Sequence, residues 1–278
     1  MEINKICVDG MNLSYQKQGH GVSTLVLLHG NSGCKEVFEN QFLHFSNSKY
    51  TVLAIDLPGH GSSDNAITPD STYTIPGYAQ IMNKALTALD VNDHILIGWS
   101  LGGNIALELA GCDLADSNST LKGIMIFGAP PVGPGMKNLE KAYLPATFES
   151  AVGENDTPRE QIDAFVKSVY GTLDPIPNFF YECAHRTEGK AREIMVGHWM
   201  GGTDGHKQYD TIAKWEKPIC VLHGNLDPFA ALDYLRDAPW KNLWRDQVFE
   251  LPTIGHAPFA EHPESFNILL EKFAADAL

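Results

Sequence analysis

Short apolar runs alternate along the chain with stretches in which apolar residues recur every three or four positions. Most of the runs are continuous and rich in β-branched residues, which is typical of strands buried on both faces of a parallel sheet. They lie at 24–28, 51–55, 94–97, 123–127, 218–222 and 247–251. The stretches between them have the periodicity of helices that pack one face against a sheet. This alternation predicts an α/β fold with a mostly parallel, doubly wound sheet and helices on both faces.

The N-terminal segment has the pattern of a hairpin. Residues 5–8 and 12–15 are predicted as two short strands, and Asp9-Gly10 between them favours a tight turn. With these two strands, 123–127 becomes the sixth strand of the chain.

The alternation stops between residues 132 and 214, where the chain is more polar and richer in aromatic residues. Helices are predicted there near 137–151, 158–170, 175–187 and 189–199. We interpret 132–214 as a helical cap inserted after the sixth strand. The predicted core then consists of residues 1–131 and 215–278.

One glycine-flanked serine lies between a predicted strand and a predicted helix, in Gly98-Trp99-Ser100-Leu101-Gly102-Gly103. Small residues on both sides allow a sharp turn that exposes the serine hydroxyl at the carboxyl end of the strand. We interpret Ser100 as a nucleophile on such a turn. The alternative is a glycine-rich turn with a serine that takes no part in chemistry.

A serine nucleophile needs a base and an acid that orients the base. Asp227 follows the strand at 218–222, and His256 follows the strand at 247–251. The carboxyl ends of parallel strands meet at one edge of a sheet, so Ser100, Asp227 and His256 are expected to lie together. Asp233 is the rival acid, but it falls within a predicted helix.

An acyl-transfer site also needs donors for the oxyanion. The backbone N–H of Leu101, directly after the serine, is one candidate, and that of Asn31, after the strand at 24–28, is the other. Three further residues are candidates for substrate contact, although core packing explains them as well: Trp99, His198 and Trp199.

Two other histidines are expected to have structural roles. His60 is expected to shape a turn, and His223, which ends a strand near Asp227, to support the site.

Composition narrows the function. The chain has 278 residues, 44% of them hydrophobic, and a formal net charge of −14. This charge argues against nucleic acid and anionic membranes as partners and leaves a small-molecule substrate. The N-terminus lacks the pattern of a signal peptide, and no stretch is long enough to span a membrane. Nothing in the sequence indicates an oligomeric state.

The cysteines and histidines indicate neither a metal site nor a cofactor. The histidines show no H-x-H or H-E-x-x-H spacing, so no metal is expected. Five widely spaced cysteines without a C-x-x-C pair favour a reducing cytoplasm. Cys7 and Cys220 lie in apolar runs and are expected to be buried.

Taken together, these motifs resemble the α/β-hydrolase superfamily across essentially the whole chain. Within that superfamily, the chain more closely resembles the metal-independent N-acyl-homoserine lactone lactonases, which open the lactone ring of bacterial quorum-sensing signals. The segments that carry this closer resemblance are 29–32, 98–103, 129–132, 186–192, 242–244 and 255–259.

That resemblance implies a Ser100, His256 and Asp227 triad acting on a lactone with an acyl tail. The chain departs from the lactonases at two positions. Asp227 stands where they have glutamate, and Phe165 stands where a cap tyrosine contacts the ligand. The alternatives are a general carboxylesterase or an enol-lactone or C–C bond hydrolase with the same triad, and a receptor that binds a signal with little turnover.

Overall fold

Eight strands form a single sheet in the computed structural model, which describes residues 4–116, 119–132, 136–150, 152–201 and 207–278. Their order across the sheet is β1-β2-β4-β3-β5-β6-β7-β8. β1 and β2 pair antiparallel, β2 pairs antiparallel with β4, and the remaining pairs are parallel. The strands are β1 Asn4–Val8, β2 Met11–Gln18, β3 Thr24–Leu28, β4 Thr51–Ile55, β5 His94–Trp99, β6 Leu121–Phe127, β7 Ile219–Gly224 and β8 Leu243–Leu251.

Helices cover both faces of this sheet. The first half of the chain contributes a 3₁₀ helix at Lys35–Phe38 and then α1 Glu39–His44, α2 Pro69–Thr72, α3 Ile75–Ala88 and α4 Leu101–Asp113. The second half contributes α5 Met136–Ala142, α6 Pro145–Ser150, α7 Arg159–Val169, α8 Asn178–Arg186, α9 Gly189–Gly201, α10 Gln208–Ile212, α11 Leu232–Asp237, α12 Pro258–Glu261 and α13 Pro263–Ala277. The predicted doubly wound α/β architecture is confirmed.

Successive side chains of each strand point to opposite faces of the sheet, so the core has two layers, one on each face. In β3, Val26 and Leu28 pack with α3 and α4 on one face, and Leu25 and Leu27 pack with α13 on the other. All five residues of β3 are buried, because helices cover both sides of a central strand. The hairpin turn is also as predicted, since Asp9 and Gly10 both adopt positive φ, at 48° and 81°.

Six helices, α5–α10, form the described part of the chain between β6 and β7, and we call them the cap helices. The prediction of one helix over 137–151 is wrong, because the chain forms α5 and α6 there. Tyr143, between them, pairs through its backbone with Ala230, and Pro145 disfavours helical geometry in the residue before it. The short helix α10 was not predicted either.

The cysteines differ from the sequence prediction in two ways. Cys34 and Cys183 form a disulfide, so the cytoplasmic location expected from cysteine spacing loses that support. Cys7 is exposed rather than buried, because β1 is an edge strand with one face open to solvent, whereas Cys220 in the inner strand β7 is buried as predicted. No helix in the described part of the chain is long and apolar enough to cross a membrane.

Candidate active site

A tight strand–helix turn presents Ser100. β5 ends at Trp99 and α4 begins at Leu101, which leaves Ser100 with φ 53° and ψ −118°. Its N–H donates to the Phe127 carbonyl at 2.9 Å, and its carbonyl accepts from the Gly103 N–H at 2.9 Å. A side chain at Gly98 would lie 2.4 Å from the Gly102 carbonyl oxygen, so only glycine allows strand and helix to approach this closely. Non-glycine residues adopt such positive φ mainly at constrained functional sites.

Asp227 and His256 form a buried hydrogen-bonded pair. His256 Nδ1 lies 2.9 Å from Asp227 Oδ2, and both residues are almost fully buried. Since an ionised carboxylate only accepts hydrogen bonds, Nδ1 donates, which leaves Nε2 as the basic nitrogen of the neutral ring. The Phe229 N–H donates to Asp227 Oδ1 at 2.8 Å. Both carboxylate oxygens therefore have donors.

Burial alone would raise the pKa of the Asp227 carboxyl. The charge of His256 and the hydrogen bonds from His256 and the Phe229 N–H outweigh burial, so this pKa lies below its ordinary value. The rival acid, Asp233, is highly exposed and pairs with Arg236 on α11. Of the two aspartates, only Asp227 contacts His256.

The backbone on either side fixes the His256 ring. A side chain at Gly128, where φ is +61°, would lie 2.4 Å from His256 Cε1, so the ring packs directly on the backbone after β6. From the other side, Trp99 Nε1 donates to the His256 carbonyl at 2.9 Å. A rigid base held in one orientation is what proton transfer requires.

Ser100 and His256 line the same cavity, which has a volume of about 100 Å³. Of the predicted site residues, Asn31, Leu101, Phe165 and Trp199 also line it. Sequence reasoning missed the other lining residues, most of which are apolar: Ile75, Asn104, Gly128, Tyr143, Thr147, Ser150, Met195, Val196 and Phe229.

Two predicted substrate contacts lie elsewhere. Neither Trp99 nor His198 lines this cavity. Trp99 is 2% exposed and packs against Phe259 and Tyr170, with ring centroids 4.9 and 5.7 Å away. Its side chain points below the turn into the core, because successive strand residues face opposite sides of the sheet.

The loop after β3 lies close to the serine. A side chain at Gly30 would lie 3.1 Å from Ser100 Cβ, so the backbone of this loop passes beside the turn. His29 Nε2 accepts a hydrogen bond from the Leu57 N–H at 3.0 Å, and His29 Nδ1 donates to the Gly30 carbonyl at 2.8 Å. As the first residue of α4, Leu101 has no intrahelical acceptor for its N–H.

A buried arginine from the cap helices contacts this loop. Arg192 Nε donates to the Ser32 hydroxyl at 3.0 Å, and Arg192 also donates to the Ala184 carbonyl. Burial lowers the pKa of Arg192 to about 10. Sequence reasoning missed Arg192, because nothing in its neighbourhood along the chain marks it as a contact of Ser32.

His60 and His223 have the structural environments expected of them. His60 donates through Nδ1 to the Pro58 carbonyl at 3.1 Å and packs against His29 in the turn after β4. His223 is buried at the end of β7. The described residues contain no group of three or more histidine, cysteine, aspartate or glutamate side chains that could hold a metal ion.

Comparison with known proteins points to one large family. The model of the alpha/beta hydrolase family matches residues 25–267. The crystal structure of the N-acyl homoserine lactonase AidH complexed with N-butanoyl homoserine superposes with a TM-score of 0.91 at 30% identity, over 100% of this chain and 97% of that chain.

Curated relatives include esterases and C–C bond hydrolases. A pimeloyl-[acyl-carrier protein] methyl ester esterase of Cronobacter sakazakii is 27% identical, over 91% of this chain and 93% of the relative. A 2-hydroxy-6-oxononadienedioate/2-hydroxy-6-oxononatrienedioate hydrolase of Burkholderia vietnamiensis is 24% identical, over 95% of this chain and 91% of the relative.

Proposed function

Because the chain belongs to the alpha/beta hydrolase family, we propose that it opens the lactone ring of N-acyl-homoserine lactones through a serine triad. The observation that carries this proposal is that Ser100 and His256 line one largely apolar cavity, while Asp227 is hydrogen-bonded to His256 behind it. The 0.91 TM-score to the lactonase AidH supports lactones as the substrate class.

The reaction begins when the Ser100 hydroxyl oxygen attacks the lactone carbonyl carbon. His256 Nε2 accepts the hydroxyl proton, and Asp227 stabilises the imidazolium through Nδ1. The backbone N–H groups of Leu101 and Asn31 donate to the oxyanion of the tetrahedral intermediate. Both residues line the cavity beside the serine.

Collapse of this intermediate breaks the bond to the ring oxygen, which takes the proton from His256. The hydroxyl group formed by ring opening stays tethered to the acyl group, so the step reverses until water attacks. His256 then takes a proton from that water as it attacks the acyl carbon. The bond to Ser100 breaks, Ser100 regains its proton from His256, and the hydroxy acid leaves. Proton transfer between side chains generates the nucleophile, so this mechanism uses no metal ion.

We further propose that residues 132–214 act as a cap over the acyl tail. Apolar side chains from two cap helices line the cavity, Phe165 from α7 and Met195, Val196 and Trp199 from α9. An acyl chain buried against such side chains gains about 0.8 kcal/mol for each methylene removed from water. Phe165 contributes apolar surface and no hydroxyl.

A general carboxylesterase is the second candidate, and the methyl ester esterase among the relatives favours it. The two functions share every step of the triad and differ in the leaving group. A small lactone ring holds its ester in the less stable E geometry, whereas a linear ester adopts the planar Z geometry. Substrate preference therefore separates them.

The deciding experiment measures acid release from hexanoyl-homoserine lactone, a γ-lactone without an amide and a series of p-nitrophenyl esters. The wild-type protein, dialysed against EDTA, is compared with the Ser100→Ala variant. We expect lactone opening to survive EDTA and to disappear in Ser100→Ala. Good turnover of linear esters without turnover of any lactone would replace the proposal with the carboxylesterase.

A further inference from the structure

Two of the polar side chains that line the cavity contact each other, one from helix α4 and one from the segment between α5 and α6. Asn104 lies one turn after Ser100 on α4, and Tyr143 lies between α5 and α6. Asn104 Nδ2 is 3.3 Å from the Tyr143 hydroxyl and 3.3 Å from the Ser100 carbonyl oxygen. Both residues line the cavity and both are well buried.

The hydrogen-bonding capacity of this pair is only partly used. Asn104 Oδ1 has no hydrogen-bond partner among the described residues. Tyr143 accepts from Asn104 through its oxygen, which leaves the phenolic hydrogen without an acceptor in the described part of the chain. A buried polar group without a partner costs about 1–3 kcal/mol, so a ligand that pairs with both groups recovers that cost.

The orientation of the Asn104 amide does not remove this mismatch. If the amide is turned by 180°, the Tyr143 hydroxyl donates to Oδ1 and the hydrogens of Nδ2 become the unmatched donors. In either orientation the pair keeps an unused donor. In the orientation described above, it keeps an unused acceptor as well.

Backbone contacts hold Tyr143 in place. Its N–H donates to the Leu139 carbonyl at 2.8 Å, and its backbone bridges to Ala230 in the loop that follows Asp227. The Trp199 ring packs against the phenol edge to face, 5.0 Å away. Burial raises the pKa of Tyr143 and the charge of Asp227 raises it further, so the hydroxyl stays protonated and able to donate.

We propose that Asn104 and Tyr143 form an amide-binding subsite that recognises the secondary amide of an acylated substrate. The amide carbonyl accepts from the Tyr143 hydroxyl, and the amide N–H donates to Asn104 Oδ1. An ester or an alkyl chain offers no N–H, so it leaves Oδ1 unpaired. This inference rests on the proposed function, and it names the group by which the site distinguishes acyl-homoserine lactones from plain lactones.

The position of the subsite fits the distance between the two functional groups of such a substrate. Asn104 is four residues after Ser100, so it lies about one 5.4 Å turn along α4. Helical side chains lean toward the N-terminus, which brings the Asn104 amide back toward the serine. In an acyl-homoserine lactone, the amide nitrogen is bonded to the ring carbon next to the reacting carbonyl. The two groups are therefore recognised by neighbouring parts of one helix.

The test compares Tyr143→Phe, which removes one oxygen atom, with Tyr234→Phe as a matched control. The Tyr234 hydroxyl donates to the Pro131 carbonyl at 2.7 Å and is not part of the cavity lining described above. The substrates are hexanoyl-homoserine lactone and α-hexyl-γ-butyrolactone, which has the same ring and an alkyl chain on the same ring carbon but no amide.

We expect Tyr143→Phe to lower kcat/KM for the amide-bearing lactone about tenfold, which corresponds to the loss of one buried hydrogen bond. For α-hexyl-γ-butyrolactone the change should stay within about twofold, and Tyr234→Phe should alter neither value. Asn104→Ala should show the same selective loss, with the double variant little worse than either. Equal losses on both substrates, or no loss on either, would overturn the subsite.

Failure of the proposed function gives a different result. In that case the wild-type protein opens neither lactone but hydrolyses p-nitrophenyl esters. The subsite is then tested with p-nitrophenyl N-hexanoylglycinate against p-nitrophenyl octanoate. A selective loss on the glycinate in Tyr143→Phe supports amide binding, and its absence refutes it.

Discussion

In the proposed mechanism, Asp227 influences the reaction only through His256. One carboxylate oxygen meets Nδ1 at 2.9 Å and the other is held by the Phe229 N–H, so neither reaches the substrate. Ser100 forms the covalent bond and His256 moves the proton, which makes both chemically indispensable. The three residues should therefore differ in what their removal costs.

Substitution of the triad tests this ranking. Ser100→Ala and His256→Ala should each lower kcat by about three orders of magnitude or more, because either change removes a reacting group. Asp227→Asn should cost less than either, since it removes an orienting charge. The matched control is Asp233→Asn, which changes an exposed aspartate that pairs with Arg236. A larger loss in Asp233→Asn than in Asp227→Asn, without unfolding, would reassign the acid.

His29 and His60 make folding sensitive to acid. Both are almost fully buried beside each other, and burial lowers the pKa of each below the ordinary value of 6.5. Below pH 6.5, the unfolded chain therefore binds protons at these two histidines that the folded protein does not bind. As a result, the free energy of unfolding should decrease as the pH is lowered through that value.

The measurement is urea unfolding at several pH values between 7.5 and 5. Each buried histidine contributes a slope of up to about 1.4 kcal/mol per pH unit. His60→Asn keeps a donor for the Pro58 carbonyl, so it should fold and reduce the slope by one such contribution. An unchanged slope in His60→Asn would contradict this account.

At the scale of single residues, sequence reasoning identified side chains whose position follows from a strand end. Asp227 and His256 both follow strands of a parallel sheet, so their contact was predictable. Asn104 had a usable signal, because it lies one turn after Ser100 on the same helix. Tyr143 had none. Arg192 lies in a segment that resembles the lactonases, but its contact with Ser32 was not predictable. Both contacts depend on packing between segments far apart in the chain.

At the scale of elements, α7 is an amphipathic helix that contributes Phe165 to the cavity, and its other side is solvated. Ile162 and Val166 anchor the helix in the core cluster. Phe165 is only partly buried, which is consistent with a side chain whose remaining surface is available to a ligand.

Shortening Phe165 should therefore change chain-length preference. Phe165→Ala should weaken transition-state binding of a long-chain acyl substrate by about 1–3 kcal/mol, the scale of one aromatic contact with an acyl tail. Hydrolysis of a short acetate ester should change far less. The measurement is kcat/KM across acyl chains of increasing length, with Phe179→Ala on the neighbouring helix α8 as a control outside the cavity lining. Equal losses for long and short chains would mean that Phe165 only packs the cap helices.

Some elements could be predicted from the local sequence, and others depend on contacts between distant parts of the chain. The inner strands were predictable, because burial on both faces requires continuous apolar runs such as that of β3. The break between α5 and α6 was not predictable, although the sequence shows a proline at position 145. It depends on the pairing of Tyr143 with Ala230, a contact that only the folded chain creates.

At the scale of the whole molecule, the Cys34–Cys183 disulfide links the segment after β3 to helix α8, across 149 residues of sequence. A crosslink that closes a long loop restricts the unfolded chain, which stabilises the folded state relative to it. The protein should therefore be more stable when oxidised.

Cys183→Ser should lower the free energy of unfolding by about 2–5 kcal/mol. A reducing agent should lower the thermal midpoint of the wild-type protein and leave that of Cys183→Ser unchanged. Cys112→Ser, which alters an exposed free thiol, should behave like the wild type. Titration of five free thiols in the unreduced, unfolded protein would rule out the disulfide.

The Arg192–Ser32 hydrogen bond has a consequence for how such enzymes diversify. It joins helix α9 to the loop that carries Asn31, and the disulfide joins the same region to α8. If the segment that carries the cap helices only covered the substrate, recombination could exchange it between related enzymes, and substrate specificity would be transferred with that segment. Here a transplanted insertion lacking Arg192 and Cys183 would leave Ser32 and Cys34 without their partners. Recombinants that inherit both halves of these contacts should retain turnover, so the two parts of the gene are expected to evolve as one unit.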